Sequence, residues 1–284
     1  MDGIHMDGQE YTEKQVTRGD ESINLSSARE KVLVVLIYLV ALVVAEVLTT
    51  YINKEWGLII HATILFALLI HSAMTESPLF SNLLRSLIAV PIIRIIGLSM
   101  PIIQLQPYYW FPIVAVPLFA ASIVIIRSQK LSLKDVGLVK EGLPLQLVIG
   151  ATGIFLGIVE YTILKPDPLI PVFTPFTAIV AFLVLLVSTG LAEELLFRGI
   201  IQSNAEKVFR PAFALIFTAM VFTTMHIGWQ SFPDLVFVFA VAIIYGAIFY
   251  KTRSIVGITL NHGLSNTILF IVMPFYNLLL YLPF

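Results

Sequence analysis

Nine apolar stretches, most of them about 20 residues long, set the limits on what this chain can fold into. They run over 32–50, 57–74, 83–103, 111–126, 143–164, 176–209, 212–228, 235–250 and 255–273. A bilayer core about 30 Å thick is crossed by roughly 20 helical residues. In lipid, the backbone polar groups of a lone segment are satisfied only within a helix. The expected fold class is therefore all-α: a polytopic transmembrane helix bundle of about 8–9 spans enclosing an intramembrane cavity. Composition agrees, because only 12% of the residues are charged, about half the share of a soluble domain. The third stretch carries Arg85, Pro91, Arg94 and Pro101, so it is expected to be tilted or broken. The closing 275–284 segment is apolar but too short to span. It is expected at the interface, with Tyr276 and Tyr281 at headgroup level.

Several function classes are excluded early. The net charge of −1 gives no bulk attraction to nucleic acid, so no nucleic-acid partner is expected. The chain has no cysteine, which removes disulfides, thiolate metal sites and cysteine nucleophiles. Residues 1–28 are polar and lack an apolar signal-peptide core. They are expected to form a disordered tail, with the transmembrane domain over 29–284. Lysine and arginine fix an orientation. Twelve lie in the tail and the alternate loops on its side, against Lys54 and Lys165 on the other. That asymmetry places the N-terminus in the cytoplasm. The expected location is the plasma membrane of a prokaryote, as an integral multi-pass protein in contact with lipid.

Charge inside these spans is the exception that needs a reason, since each charge near the bilayer centre costs about 2.5–3.5 kcal/mol on insertion scales. The sixth stretch contains Gly190-Leu191-Ala192-Glu193-Glu194-Leu195-Leu196-Phe197-Arg198-Gly199. Glu194 and Arg198 are four apart on one helix face and can pair. Glu193 points about 100° away and is left without a local partner. The alternative is a plain helix-stapling salt bridge with Glu193 incidental. A straight helix over 176–209 would be about 50 Å long, longer than the core. Tilt, or a break at Gly190 or Gly199, is expected.

Spacing gathers further polar residues at one depth. Arg210-Pro211 marks the turn of a helical hairpin. Glu193 lies about 23 Å before it and His226 about 23 Å after it. The last stretch supplies Asn261, His262 and Asn266, and the latter two share a face. A carboxylate, two imidazoles and an amide facing one cavity suit hydrolysis. Glu193 can take a proton from water, His226 can orient that water, and His262 and Asn266 can donate to an oxyanion. The same Glu193, His226 and His262 suit a zinc ion with an open position, although no H-E-x-x-H helix is present. No cofactor is expected on the first reading, zinc on the second.

Three sequence elements, in order, carry a resemblance: Glu193-Glu194-x-x-x-Arg198, Phe222-x-x-x-His226 and His262-x-x-x-Asn266. Together they resemble the motifs of the CPBP family, the CAAX-protease and bacteriocin-processing group, over about 176–270. The resemblance implies an intramembrane glutamic endopeptidase that hydrolyses a peptide bond near the C-terminus of a prenylated or membrane-embedded peptide. It implies that Glu193 and His226 activate water, and that His262 and Asn266 form the oxyanion hole. It implies too that Glu194 and Arg198 support the site, while Phe222 shapes the cavity. The alternatives are the zinc-dependent hydrolase and a non-catalytic bacteriocin-immunity or partner-binding protein.

Other polar residues in apolar spans have a blander reading. Glu46, His61, His71, Arg94 and Glu160 are expected to pair so that their helices insert; the alternative is that one is a more distant supporting partner of the site, for example Glu46 with Arg94. Tyr108-Tyr109-Trp110 is expected as an interfacial belt. Gly246 and Gly257 are expected to allow close helix contact.

Overall fold

The computed structural model describes residues 7–99 and 107–276, with side chains described from 27 to 99 and from 108 to 276. The chain divides into two compact units, 1–41 and 42–284. Every candidate site residue lies in the second.

Among the described residues every regular element is helical. In order they are α1 (Asp7–Tyr51), α2 (Lys54–Met74), α3 (Pro78–Leu87), α4 (Ala89–Ser99), α5 (Pro107–Ser128), α6 (Leu143–Ala151) and α7 (Gly153–Leu164). Then come α8 (Pro175–Leu185), a short α9 (Ala192–Glu194), α10 (Ser203–Val208), α11 (Pro211–Thr224), α12 (Phe232–Thr252), α13 (Val256–Thr267) and α14 (Met273–Tyr276). Nine helical segments among the described residues are long and apolar enough to cross a membrane, and they coincide with the nine apolar stretches. The fold is a polytopic helical bundle. Tyr276 is the last described residue, so the expectation for 277–284, Tyr281 included, lies outside the described residues.

Local chemistry explains where helices start and stop. The Asn53 side chain accepts hydrogen bonds from the backbone N–H of Glu55 and Trp56, capping α2. Thr174 and Thr177 form a reciprocal capping box at the start of α8, with Pro175 at its first position. The Ser231 hydroxyl accepts from Asp234 N–H at the start of α12. The third span is interrupted at Ile88, between α3 and α4, as its prolines and arginines led one to expect.

The sixth span departs from expectation in kind. It is continuous from Pro175 to Val208 and shows no break at Gly190 or Gly199. Instead two stretches, Leu186–Leu191 and Leu195–Gln202, are π-helical, each containing one of those glycines. A π-helical turn shifts the hydrogen bond to the i+5 residue and re-aims the side chains around it, which is why such turns gather at functional sites. Here the short α9 that carries both glutamates lies between the two.

α13 is the centre of the second unit. Two thirds of its span (67%) is buried, against 22% for the span over Tyr108–Ser128. It packs on α6, on α7 and on the π-helical Leu186–Leu191. The last contact is backbone to backbone. A Cβ added at Gly190 would lie 2.7 Å from the Thr259 carbonyl oxygen, and one at Gly263 would lie 2.8 Å from Leu186 Cα. Any side chain at either position would push α13 off the glutamate-bearing helix. The turn-rich 129–142 loop also locks this centre, since Gly137 O accepts the Ile255 N–H at 2.9 Å, just before α13. Gly246 and Gly257 do allow close contact. Their added Cβ atoms would meet the Gln202 and Gln146 side chains.

Candidate active site

The hairpin of the sixth and seventh spans forms where the sequence placed it. α10 closes with Phe209 N–H on Ala205 O, and α11 opens at Pro211. α11 ends one turn earlier than expected, at Thr224. His226 therefore sits in the tight turn after the helix, with its N–H on Thr223 O at 2.9 Å, just ahead of a 3₁₀ turn over Ile227–Trp229.

Glu193, Phe222, His226, His262 and Asn266 all line one cavity of about 130 Å³, room for roughly four waters at liquid density. Glu194 and Arg198 are fully enclosed behind it, at 0% and 1% exposure. Their salt bridge is the one read from the i, i+4 spacing, with Arg198 Nη1 2.9 Å from Glu194 Oε1. The same Oε1 accepts from His262 Nδ1 at 2.9 Å. Glu194 thus holds an arginine and a histidine on one oxygen, while its Oε2 has no hydrogen-bond partner among the described residues.

Arg198 is held from several sides. Its guanidinium lies 4.6 Å from the centre of the Phe222 ring and 5.3 Å from that of Tyr245. It also donates to Ala242 O at 3.4 Å. Cation–π contact with two rings stabilises a buried guanidinium that makes only one ion pair. Phe222 in turn meets the Phe197 ring edge to face and packs on both catalytic-type imidazoles, at 4.7 Å from His226 and 6.2 Å from His262. It is a wall shared by three of the sequence-predicted residues.

Ring hydrogen bonds fix what each imidazole presents. The Phe222 carbonyl, which can only accept, lies 3.0 Å from His226 Nδ1. Nδ1 therefore carries the proton, and Nε2 of the neutral ring is the acceptor. His262 gives its Nδ1–H to Glu194 and turns Nε2 toward Glu193, 3.9 Å from Oε2. Asn266 Nδ2 donates to Thr189 Oγ1 at 3.0 Å, and Thr189 donates to Leu185 O. One amide hydrogen of Asn266 is thus engaged and the second is left to donate. Glu193 is the accessible carboxylate, with 27% of its side chain exposed.

Zinc fits these residues poorly. Among the described residues, no three His, Asp or Glu side chains converge as a metal would need.

The cavity also holds residues that the motifs did not single out: Thr189, Trp229, Tyr245, Ser265 and Phe270, together with Glu160. Thr189 lies four residues before Glu193, and Ser265 three after His262, so helical spacing carried a signal for both. Glu160 was read as an insertion partner, whereas it lines the cavity. Asn261 faces away from the reaction space. Its amide donates to Ile149 O and Thr152 Oγ1, both at 2.7 Å, and its Oδ1 accepts from Tyr245 O–H at 2.5 Å. It ties α6, α12 and α13 together. Glu46 and Arg94 pair as the bland reading expected, with Arg94 Nε and Nη2 at 2.5 and 2.6 Å from the two carboxylate oxygens. His61 Nε2 is 3.1 Å from Glu46.

Residues 175–268 match the family model described as type II CAAX prenyl endopeptidase Rce1-like. The match covers a third of the chain and includes every cavity motif from Glu193 to Asn266. No curated protein and no solved structure matches the chain.

Proposed function

We propose, for a chain whose residues 175–268 match the type II CAAX prenyl endopeptidase Rce1-like model, that Glu193 activates water against a peptide bond near the C-terminus of a prenylated or membrane-embedded peptide. The observation that carries the reading is the division of labour between adjacent carboxylates. Glu194 is buried and held on one oxygen by Arg198 and His262, whereas Glu193 lines the cavity with no hydrogen bond of its own in view. A general base needs that freedom.

The reaction balances on these groups. Water between Glu193 and His226 Nε2 gives a proton to the Glu193 carboxylate as its oxygen bonds to the carbonyl carbon. The carbonyl oxygen becomes an oxyanion. It accepts from the free Asn266 amide hydrogen and from His262 Nε2–H. That role needs His262 with both ring protons, and Glu194 on Nδ1 and Glu193 near Nε2 are its counter-charges. As the C–N bond breaks, the proton held by Glu193 passes to the leaving amine. A new carboxyl terminus and a free amine result. Arg198 and Phe222 act through the residues they hold, by positioning Glu194 and the two rings.

The test is cleavage of a fluorogenic farnesylated CAAX peptide by detergent-purified protein, as wild type and Glu193→Gln, each with and without a strong zinc chelator. Cleavage that survives the chelator and disappears in Glu193→Gln is expected. Cleavage that the chelator stops and zinc restores would replace this mechanism with a metal-dependent one. Cleavage kept in Glu193→Gln would remove Glu193 from the chemistry.

A further inference from the structure

The proposed hydrolysis uses one cavity carboxylate, and the cavity has two. Glu160 reaches it from α7, and Ser265, on α13 between His262 and Asn266, lines the same cavity. The charged neighbours of Glu160 are Asp234 and His262. Asp234, in the first turn of α12, is 0% exposed, and neither of its carboxylate oxygens has a hydrogen-bond partner among the described residues. An unpartnered buried carboxylate is costly unless a cation or a proton accompanies it.

The charges around the cavity do not balance. On the acidic side stand Glu193, Glu194, Glu160 and Asp234. On the basic side, Arg198 is committed to Glu194, and His262 is shared between Glu194 and Glu193. His226 presents an unprotonated Nε2 in its neutral form. Arg94 is neutralised by both oxygens of Glu46. No cation among the described residues is committed to Glu160 and Asp234. The remaining walls are Phe111, Phe237, Val238 and Phe270, which would lie along an aliphatic stem.

We propose that Glu160, with Asp234 behind it, is a subsite for a positively charged side chain of the bound peptide, a lysine or arginine. This rests on the protease reading for the identity of the ligand as a peptide. Glu160 and Glu193 line the same small cavity, so the basic residue is one that flanks the scissile bond. The aromatic and aliphatic walls hold its methylene stem, and the carboxylate takes its charged end. The subsite would make the enzyme select among membrane-embedded peptides by charge as well as by lipid.

The experiment reads binding without turnover. Trp229 lines the cavity, and the chain's other two tryptophans are Trp56 and Trp110. Full-length protein carrying Trp56→Phe and Trp110→Phe, in detergent, then reports occupancy through Trp229 fluorescence. The probes are acetylated farnesyl-cysteine tetrapeptides in which the residue that follows the farnesyl-cysteine is lysine, norleucine or glutamate. The lysine peptide is expected to bind about tenfold tighter than its norleucine twin, the worth of one charge-assisted hydrogen bond. Glu160→Gln is expected to bring the two within about twofold, and Glu160→Asp, which keeps the charge, to retain the preference. Equal binding of lysine and norleucine peptides to the parent protein overturns the subsite, as does a preference that survives Glu160→Gln. Failure of every peptide to bind also overturns it, and points instead to carboxyls that carry their own protons. Charge-selective binding without cleavage keeps the subsite and sinks the protease. Cleavage without charge selection does the reverse.

Discussion

Two clusters inside the helices are built from the same three residue types, a glutamate, an arginine and a histidine. In one, Arg94 meets Glu46 fork to fork, both oxygens are used, and His61 rests against the same carboxylate. In the other, Glu194 offers a single oxygen to both Arg198 and His262. The first cluster is closed, with each charge spent on its partner, and it does not line the cavity. The second passes its bonds onward. Arg198 goes on to Ala242 O and two aromatic faces, and His262 turns its second nitrogen toward Glu193. Composition is the same in both. What separates the two clusters is an adjacent carboxylate left over and a space for it to face.

The widest gap between the clusters should appear when one glutamate of each loses its charge. Glu193→Gln is expected to lower cleavage about 10²–10⁴-fold, the usual worth of a general base, while the thermal midpoint in detergent stays where it was. Glu46→Gln is expected to do the opposite. It strands Arg94, so unfolding should become easier by about 3–5 kcal/mol, with kcat per folded molecule unchanged. A Glu46→Gln protein that folds as wild type but cannot cleave would erase the distinction. Asn266→Ala comes next. Loss of one oxyanion donor should cost about 10²–10³-fold in kcat with KM little altered, read from full saturation curves.

Paired replacements sharpen the comparison further. Removing both partners of a buried ion pair at once is often neutral for stability. Glu46→Leu with Arg94→Met is therefore expected to keep both fold and activity. Glu194→Leu with Arg198→Met is expected to keep the fold and lose activity, because His262 then has nothing to hold its Nδ1. Peptide cleavage and a thermal melt on the two double variants decide it. Equal activity in both would mean that Glu194 has no positioning role.

Much of this organisation was written in the sequence, and the reasons are physical. The nine spans were legible because lipid forces long unbroken apolar helices, and the pair of Glu194 with Arg198 because helical spacing is fixed. Glu46 with Arg94 was legible as well, since few partners exist inside a membrane. The π-helical turns at Gly190 and Gly199 were not. A glycine in a long helix reads equally as a kink, a close contact or a wide turn, and the neighbours that decide, Thr259 and Gly263 on α13 for Gly190 and Val136 in the 129–142 loop for Gly199, are about 60–70 residues away. The tight turn under His226 was hidden for a similar reason. The 211–229 segment stays apolar past the point where its α-helix ends. Glu160 was visible as a residue and invisible as a wall of the cavity, because the residues that share that cavity with it, Ser265 among them, lie far along the chain on other helices.

The smallest expected effect concerns a carboxylate that has water to fall back on. Asp135 lies in the 129–142 loop, outside the spans, and accepts hydrogen bonds from both the hydroxyl and the backbone N–H of Ser132, each at 2.7 Å. The Ser132 hydroxyl and then its N–H hold the Asp135 carboxyl below its ordinary value, with Lys207 and Lys134 helping slightly. A carboxyl whose folded-state value is depressed contributes stability above its unfolded value, and the contribution is lost as pH falls through the folded one. Asp135→Asn is therefore expected to lower the thermal midpoint at pH 7 by about 2 °C or less, since the group is exposed and screened. The difference should shrink to nothing as pH drops below the ordinary aspartate value of about 3.9. Glu46→Gln, measured over the same range, should stay costly at pH 7 by a much larger margin. If the two losses were alike, burial would not be what makes the intramembrane clusters expensive, and the contrast between a closed cluster and an open one would lose its physical basis.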